Sequence, residues 1–411
     1  MLSRRSVLWM SVLASVMAPL RARSSAQKDA MRSRIRADIR GWDAILDHRT
    51  GTTGDDQTAQ WLSDELRRSG VEPLVDRLPF QRRVLHECYV AAGGQRADGV
   101  PLFDGGHTNA DGLQGTLSDL ESGVGIGLTL FGPGPWHPGT QALQRARERG
   151  AHQAIVAVAA GDLVRPGLAL LNADDYARPY GPPVLQVGTE HRDWLEEALG
   201  TSEPVRFVAH VTLEQTYACN LQATIEGADG SLPPLVIMTP RSGWWTCTSE
   251  RAGGISLWLE LARHFAANRP DRTVIFTANT GHELGHVGLE HYLRSAPELV
   301  RGAYLWIHLG ANLAAVDGAL RFQASTDDLL KTSLAALTAR GITEREITPV
   351  DERPLGEARN IYDGDGDYVS FLASNRLFHH PADRWPEAVD LDRVVALNQA
   401  VLDIVDQLAR R

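Results

Sequence analysis

Along the second half of the chain, short apolar runs alternate with amphipathic stretches. Leu221 to Ile225, Leu235 to Met238, Thr273 to Phe276 and Ala303 to Leu309 are rich in apolar and β-branched residues and read as strands. Between them, Ile255 to Phe265 and the stretch after Gly285 place apolar residues at helical spacing. The chain closes on a helix from Leu391 to Leu408, with Val394, Val395, Leu397, Val401, Leu402 and Val405 on its apolar face. Helices of this length between short apolar strands predict an α/β fold with a doubly wound, mostly parallel sheet.

The first half has a different texture. A helical pattern runs through Ile35, Ile39, Trp42, Ile45 and Leu46 and is broken at Gly51-Thr52-Thr53-Gly54. A second helix follows, N-capped by Asp55 or Asp56, with Ala59, Trp61, Leu62 and Leu66 on its inner face and an end at Ser69-Gly70. From 84 to 210 the chain turns to Gly- and Pro-rich short strands. Helices at Gln141 to Arg149 and Glu190 to Leu199 alternate there with strands at Ala154 to Val158 and Val184 to Val187. This segment reads as a small α/β domain inserted into a larger one formed by 27–83 and 211–411.

Residues 1–26 are set apart from the fold. Ser3-Arg4-Arg5-Ser6-Val7-Leu8 followed by an apolar run to Leu20 and the small residues Ser24-Ser25-Ala26 forms a twin-arginine export signal. The apolar run is shorter than the roughly 20 residues a membrane span needs. A periplasmic or secreted protein, with no membrane attachment after signal removal, is expected.

Charge narrows the partners. The net charge of -10 is spread along the 411 residues, without a basic block, which argues against nucleic acid. Cys88, Cys219 and Cys247 lack thiolate–metal spacing and allow at most one disulfide. No signal points to a particular oligomeric state.

The densest chemistry lies in Thr273 to Leu293, a strand, a turn at Asn279-Thr280-Gly281 and a helix. In an open α/β sheet, ligands bind at the carboxyl end of such a strand. Here His282-Glu283-Leu284-Gly285-His286 spells H-E-x-x-H, but its zincin form needs both His on one continuous helix. Strand and turn formers precede His282, so it is expected in the turn with His286 at the helix start. A third ligand at zincin spacing would fall on Tyr292.

These segments, in this order, resemble the M28 family of zinc aminopeptidases, which also includes the glutaminyl cyclases. The matching stretches are His48 to Gly54 with its helix, Asn220 to Gly227, Leu235 to Thr239, Glu250 to Gly254 with Leu257 to Arg263, the Thr273 to Leu293 stretch, and Phe378 to Leu391. The insert at 84–210 is similar to the protease-associated domain of many members. The resemblance implies a two-zinc site, and its ligands can be carried over position by position. The strand-end His falls on Thr239 and the Asp two residues on falls on Arg241. The bridging Asp falls on Glu250. The general base falls on His282, the following metal-binding Glu on Glu283, a further Asp on Gly310 and the last His on His379. What survives is a one-zinc set of Glu250, Glu283 and His379, with His282 as base and Arg241 as a fixed positive charge in the cleft.

Two functions follow from these residues. One is an exported metallohydrolase, aminopeptidase-like, acting on a peptide or small amide with at most one zinc. The other is a catalytically inactive relative that binds peptides or a partner, in which Arg241 or Arg251 pairs Glu250 or Glu283 and replaces the ion electrostatically. Trp244 and Trp245, just past a strand end, are suited to an apolar pocket beside the site.

Overall fold

A computed structural model describes residues 27–160 and 165–410. The expected export signal at 1–26 lies outside the described residues. Helix α1 (27–43) buries Ile35, Ile39 and Trp42 and ends sooner than its pattern predicts, leaving Leu46 exposed. At its end the Asp43 carboxylate accepts from Thr248 Oγ1 at 2.5 Å and is held by Arg384 at 2.9 Å. Helix α2 (Thr53–Arg68) is capped by Thr52, which accepts from Asp55 N, so the expected cap at Asp55 or Asp56 moves back. The reason is that Asp55 is buried and turned inward, toward Thr280 and Arg241.

The sheet is built from two sections joined by a long ribbon. Strand β1 (Pro73–Ala92) pairs antiparallel with β8 (Val205–Ile225) along nearly its whole length, with a register shift between Leu85 and Cys88. Positions 84 and 210 both lie inside this ribbon. At one end it continues through β2 (Gln95–Pro101), which pairs β7 (Val184–Val187). That section also holds β3 (Leu113–Gly115), β4 (Leu117–Asp119), β5 (Ile126–Phe131) and β6 (Ala154–Ala159), covered by α3 (Pro138–Arg149) and α4 (Arg192–Leu199). Its fully buried strand β6 packs Ile155 and Val156 into two apolar clusters on opposite faces.

At the other end, β8 pairs antiparallel with β10 (Val274–Asn279). Then β10, β9 (Leu235–Pro240), β11 (Leu305–Leu309) and β14 (Tyr368–Ala373) run parallel. The edge adds β12 (Leu320–Ala324), antiparallel to β14, and β13 (Arg345–Ile347). Helices α5 (Gly253–Ala267), α8 (Asp327–Ala339) and α10 (Leu391–Ala409) join one face in a cluster centred on Trp258, Leu259 and Val401. Helices α6 (Val287–Ser295), α7 (Leu299–Gly302) and α9 (Ala358–Asp363) lie with the cluster of Trp306, Tyr292 and Tyr368. The expected α/β class with a largely parallel central sheet is what forms. None of the described helices is long and apolar enough to cross a membrane. The three cysteines are buried and free, so no disulfide forms.

Candidate functional site

The parallel strands β9, β10, β11 and β14 deliver their carboxyl ends to one edge, and the site residues sit just beyond. After β9 the chain passes Arg241 and Ser242 and enters a π-helical turn, Thr248–Ala252, through Cys247 at φ 46. That turn carries Glu250 and Arg251. Helix α5 then starts hard against the strand ends. A Cβ at Gly254 would lie 2.8 Å from Leu309 O and 2.9 Å from Thr239 Oγ1, so only glycine permits this approach.

After β10, Gly281 at φ 73 turns the chain into a short helical turn over His282–Leu284. His286 adopts φ 61 and α6 begins only at Val287, so the H-E-x-x-H run is split between a turn and a helix start, as its flanking residues predict. The His282 and His286 rings stack with centroids 4.8 Å apart, instead of presenting ligands side by side on one helix. His379 follows β14 in a left-handed residue at φ 59, with its carbonyl held by Trp245 Nε1 at 2.9 Å.

Glu250, Glu283 and His379 come together although they are far apart in sequence. His379 Nε2 is 3.4 Å from Glu250 Oε1, and His379 N donates to Glu250 Oε2 at 3.3 Å. Glu283 approaches from the other side, with Ser242 Oγ donating to its Oε2 at 2.6 Å. Between the two carboxylates lies Arg251. Its Nη2 is 2.8 Å from Glu250 Oε1 and 2.6 Å from Glu283 Oε1, and its Nε donates to Ser242 O at 2.6 Å. All three charged side chains are buried. Burial alone would raise the Glu250 pKa, but the Arg251 charge and His379 override it and hold the carboxyl at about 2. Glu250 is thus a carboxylate neutralised by a guanidinium.

This arrangement decides whether a metal fits. Zinc bonds its ligands at about 2.0–2.2 Å, and the place where Glu250 and Glu283 face each other is filled by Arg251 Nη2. A cation there would be in contact with a fixed positive charge. The other half of a two-metal site is closed as well. Thr239 Oγ1 donates to Leu309 O at 2.8 Å, and a Cβ at Gly310 would meet Leu372 Cδ2 at 2.4 Å and His308 Cε1 at 2.6 Å. An Asp at 310 would require the Leu372 and His308 side chains to move. Among the described residues, no three His, Cys, Asp or Glu side chains form a group that could hold a metal ion. The donor set does not fit zinc while Arg251 keeps this place.

Arg241 is not where the sequence puts it. It is fully buried, directed away from the cleft, with Nη2 2.8 Å from Asp55 Oδ1. It also donates from Nε to Cys219 O at 2.9 Å and from Nη1 to Asp55 O at 3.1 Å. Burial tends to raise the Asp55 pKa, and the Arg241 charge works against that rise. The guanidinium satisfies a buried acid that α2 contributes, a partner that sequence reading does not identify.

His282 does line the cleft, but as a neutral ring. Burial, then the Arg251 charge, lowers its pKa well below the usual imidazole value. Its Nδ1 is 3.5 Å from Glu357 Oε1. Glu357 is fully buried, neither of its carboxyl oxygens has a hydrogen-bond partner, and burial pushes its pKa to about 8. Sequence reading misses Glu357, because an isolated Glu between Gly356 and Ala358 carries no spacing signal. Trp244 and Trp245 are structural props here. Trp244 stacks on Phe103 at 5.1 Å and donates to Asn172 Oδ1 at 3.0 Å.

Two cavities flank this centre. The smaller, of about 270 Å³, is lined by Glu283, Leu284, Trp244, Phe80, Tyr176 and Arg83. The larger, of about 420 Å³, lies between the 84–210 section and the parallel strands and reaches His282 and His286. Glu283 and His282, adjacent in sequence, open onto different cavities.

No curated protein matches the chain in sequence. Among solved structures it is similar to a zinc aminopeptidase from Bacillus subtilis, with a TM-score of 0.73 at 15% identity over 92% of this chain and 95% of that one. A peptidase M28 precursor from Shewanella amazonensis gives 0.69 at 13% identity over 93% and 98%. An aminopeptidase from Aneurinibacillus gives 0.65 at 13% over 93% and 94%. The fold is therefore that of these aminopeptidases. A family model also matches residues 249–405, which hold Glu250, Arg251, Glu283 and His379. That model is the one for peptidase family M28.

Proposed function

We propose that this protein is an exported, metal-free relative of the M28 peptidases that binds a peptide or small amide in the larger cleft. The observation that carries the reading is Arg251, whose Nη2 contacts Glu250 and Glu283 at 2.8 and 2.6 Å. A guanidinium is permanently charged and matches carboxylate geometry, so it neutralises the two acids without a dissociable ion. The cleft persists with its walls intact, and His282, held neutral, offers hydrogen bonds to an amide.

The match to a peptidase family model supports a second reading, a hydrolase of peptides or small amides with one zinc on Glu250, Glu283 and His379. One feature of the geometry favours it. His379 Nδ1 donates to Leu170 O at 2.6 Å, which turns Nε2 toward Glu250, and neither Nε2 nor Glu250 Oε1 has a hydrogen-bond partner. Metal-binding His residues often use their second nitrogen in this way.

Metal analysis of the purified, folded protein separates the two. Less than about a tenth of an equivalent of zinc, unchanged after dialysis against zinc, is expected. Stoichiometric zinc that survives dialysis would overturn the metal-free reading and restore the hydrolase.

A further inference from the structure

The larger cleft has a charge pattern at odds with the chain around it. The protein carries a net charge of -10, yet four arginines line the cleft, Arg147, Arg321, Arg359 and Arg376, against one carboxylate, Asp174. Three of the four are engaged. Arg147 is buried against Asp104 at 2.7 Å, Arg321 meets Glu346 at 2.8 Å, and exposed Arg376 has Asp317 at 4.0 Å. Arg359, the second residue of α9, is half-buried and has no ion-pair partner among the described residues. Its charge acts on Asp174, Glu357 and Asp363 as well as on His282 and His286, yet none of these carboxylates comes within ion-pair distance of it.

A second, independent observation points to the same place. His282 is 7% exposed and lines the same cleft, and its Nδ1, 3.5 Å from the buried Glu357 Oε1, makes no hydrogen bond. Buried polar atoms are rarely left without a partner, so this pair of groups is a second polar feature of the cleft that its own side chains do not satisfy. Beside these polar groups stand Trp136, 57% exposed, and Leu355, 47% exposed, with Leu372 and Phe378. The volume of about 420 Å³ suits a small ligand of two or three residues.

Resting on the peptide-binding reading above, we infer that the larger cleft selects a peptide or acylamino acid bearing a free carboxylate, with Arg359 as its anchor and the apolar side chain against Trp136 and Leu355. A guanidinium that lacks an internal partner binds carboxylate in a two-pronged contact, whereas a neutral amide leaves its charge unmatched. Two sources supply such a carboxylate, a chain terminus and an acidic side chain, and the probes below tell them apart.

The test is calorimetric titration of the full chain with three probes: N-acetyl-leucyl-alanine as the free acid, its C-terminal amide, and N-acetyl-leucyl-aspartic acid α-amide, in which the terminal carboxyl is blocked and the side-chain carboxylate is free. The acid should bind at least about tenfold more tightly than its amide, as one charged hydrogen-bonded contact is worth that factor. Arg359→Gln should abolish the difference and Arg359→Lys should restore part of it. If the aspartyl probe alone binds, the anchor takes an acidic side chain and the carboxylate assignment stands. Equal binding of acid and amide would overturn the inference and leave the peptide-binding reading intact. A preference for the acid that survives Arg359→Gln would also overturn it. Binding of none of the three overturns both. Should Arg359→Gln fail to fold, the acid–amide comparison on the unmodified chain decides alone.

Discussion

Arg251 and Glu283, 32 positions apart in sequence, meet through Nη2 and Oε1 at 2.6 Å in the interior of the protein. The contact places a permanent cation where the sequence resemblance leads one to expect an exchangeable one. Removing it should therefore create a deficit that a metal can fill. Arg251→Ala is expected to lower stability by about 3–5 kcal/mol, the cost of stranding buried charge. Zinc in the buffer should raise the melting temperature of this variant and leave the unmodified protein unmoved. A variant indifferent to zinc would show that Glu250, Glu283 and His379 cannot act together as ligands.

A different outcome is expected at Arg241. Its loss leaves Asp55 buried beside Thr280 and Gly51 without its counter-charge. Arg241→Ala should also cost about 3–5 kcal/mol, but zinc should bring no recovery, since among the described residues Asp55 is the one carboxylate in ion-pair contact with Arg241. Urea melts with and without zinc measure both effects. Rescue of Arg241→Ala by zinc would mean that the two arginines share one site.

Acid should unfold the protein through its buried histidines. His48 is fully buried, stacked on Trp42 at 3.8 Å and hydrogen-bonded to Thr58 Oγ1 at 2.7 Å. Burial lowers its pKa to about 3, and burial does the same to His308. A depressed imidazole pKa means that the unfolded chain takes up the proton first, near pH 6.5. Stability is thus complete above about pH 7 and falls progressively as pH drops from 6.5 toward 3. The urea midpoint should fall over this range, less steeply in His48→Gln. An identical slope in that variant would remove His48 from the account.

Much of this was readable in the chain itself, and the failures have physical causes. The strands at Leu235 and Thr273 and the helices at Ile255 and Leu391 are found because burial on one or both faces imposes a regular pattern. The stretch 311–377 shows no comparably regular pattern, although Thr326 before Asp327-Asp328 carries the start signal of α8. The convergence of Glu250, Glu283 and His379 was legible from the resemblance. Which arginine would stand among them was not, because it depends on how a π turn aims Arg251 inward and how α2 offers Asp55 to Arg241.

Export gives a prediction independent of the site. If Arg4 and Arg5 direct a folded chain out of the cytoplasm, replacing both with Lys should leave uncleaved precursor inside the cell. Fractionation of a tagged, full-length protein reads this directly. Equal amounts of mature protein outside the cytoplasm in both forms would refute the signal.

The antiparallel ribbon of β1 and β8 ties the two sections together more tightly than a linker would. A slip of one residue between these strands would turn every inward side chain along them outward, so the 84–210 section cannot slide over the parallel strands. The two sections also meet directly beside the site, where Ala173 N donates to Glu283 O and Trp244 Nε1 to Asn172 Oδ1. The wall that carries Trp136 and Asn172 and the floor that carries His282 and Arg359 are thus held at a set spacing, by strand pairing on one side and by these bonds on the other.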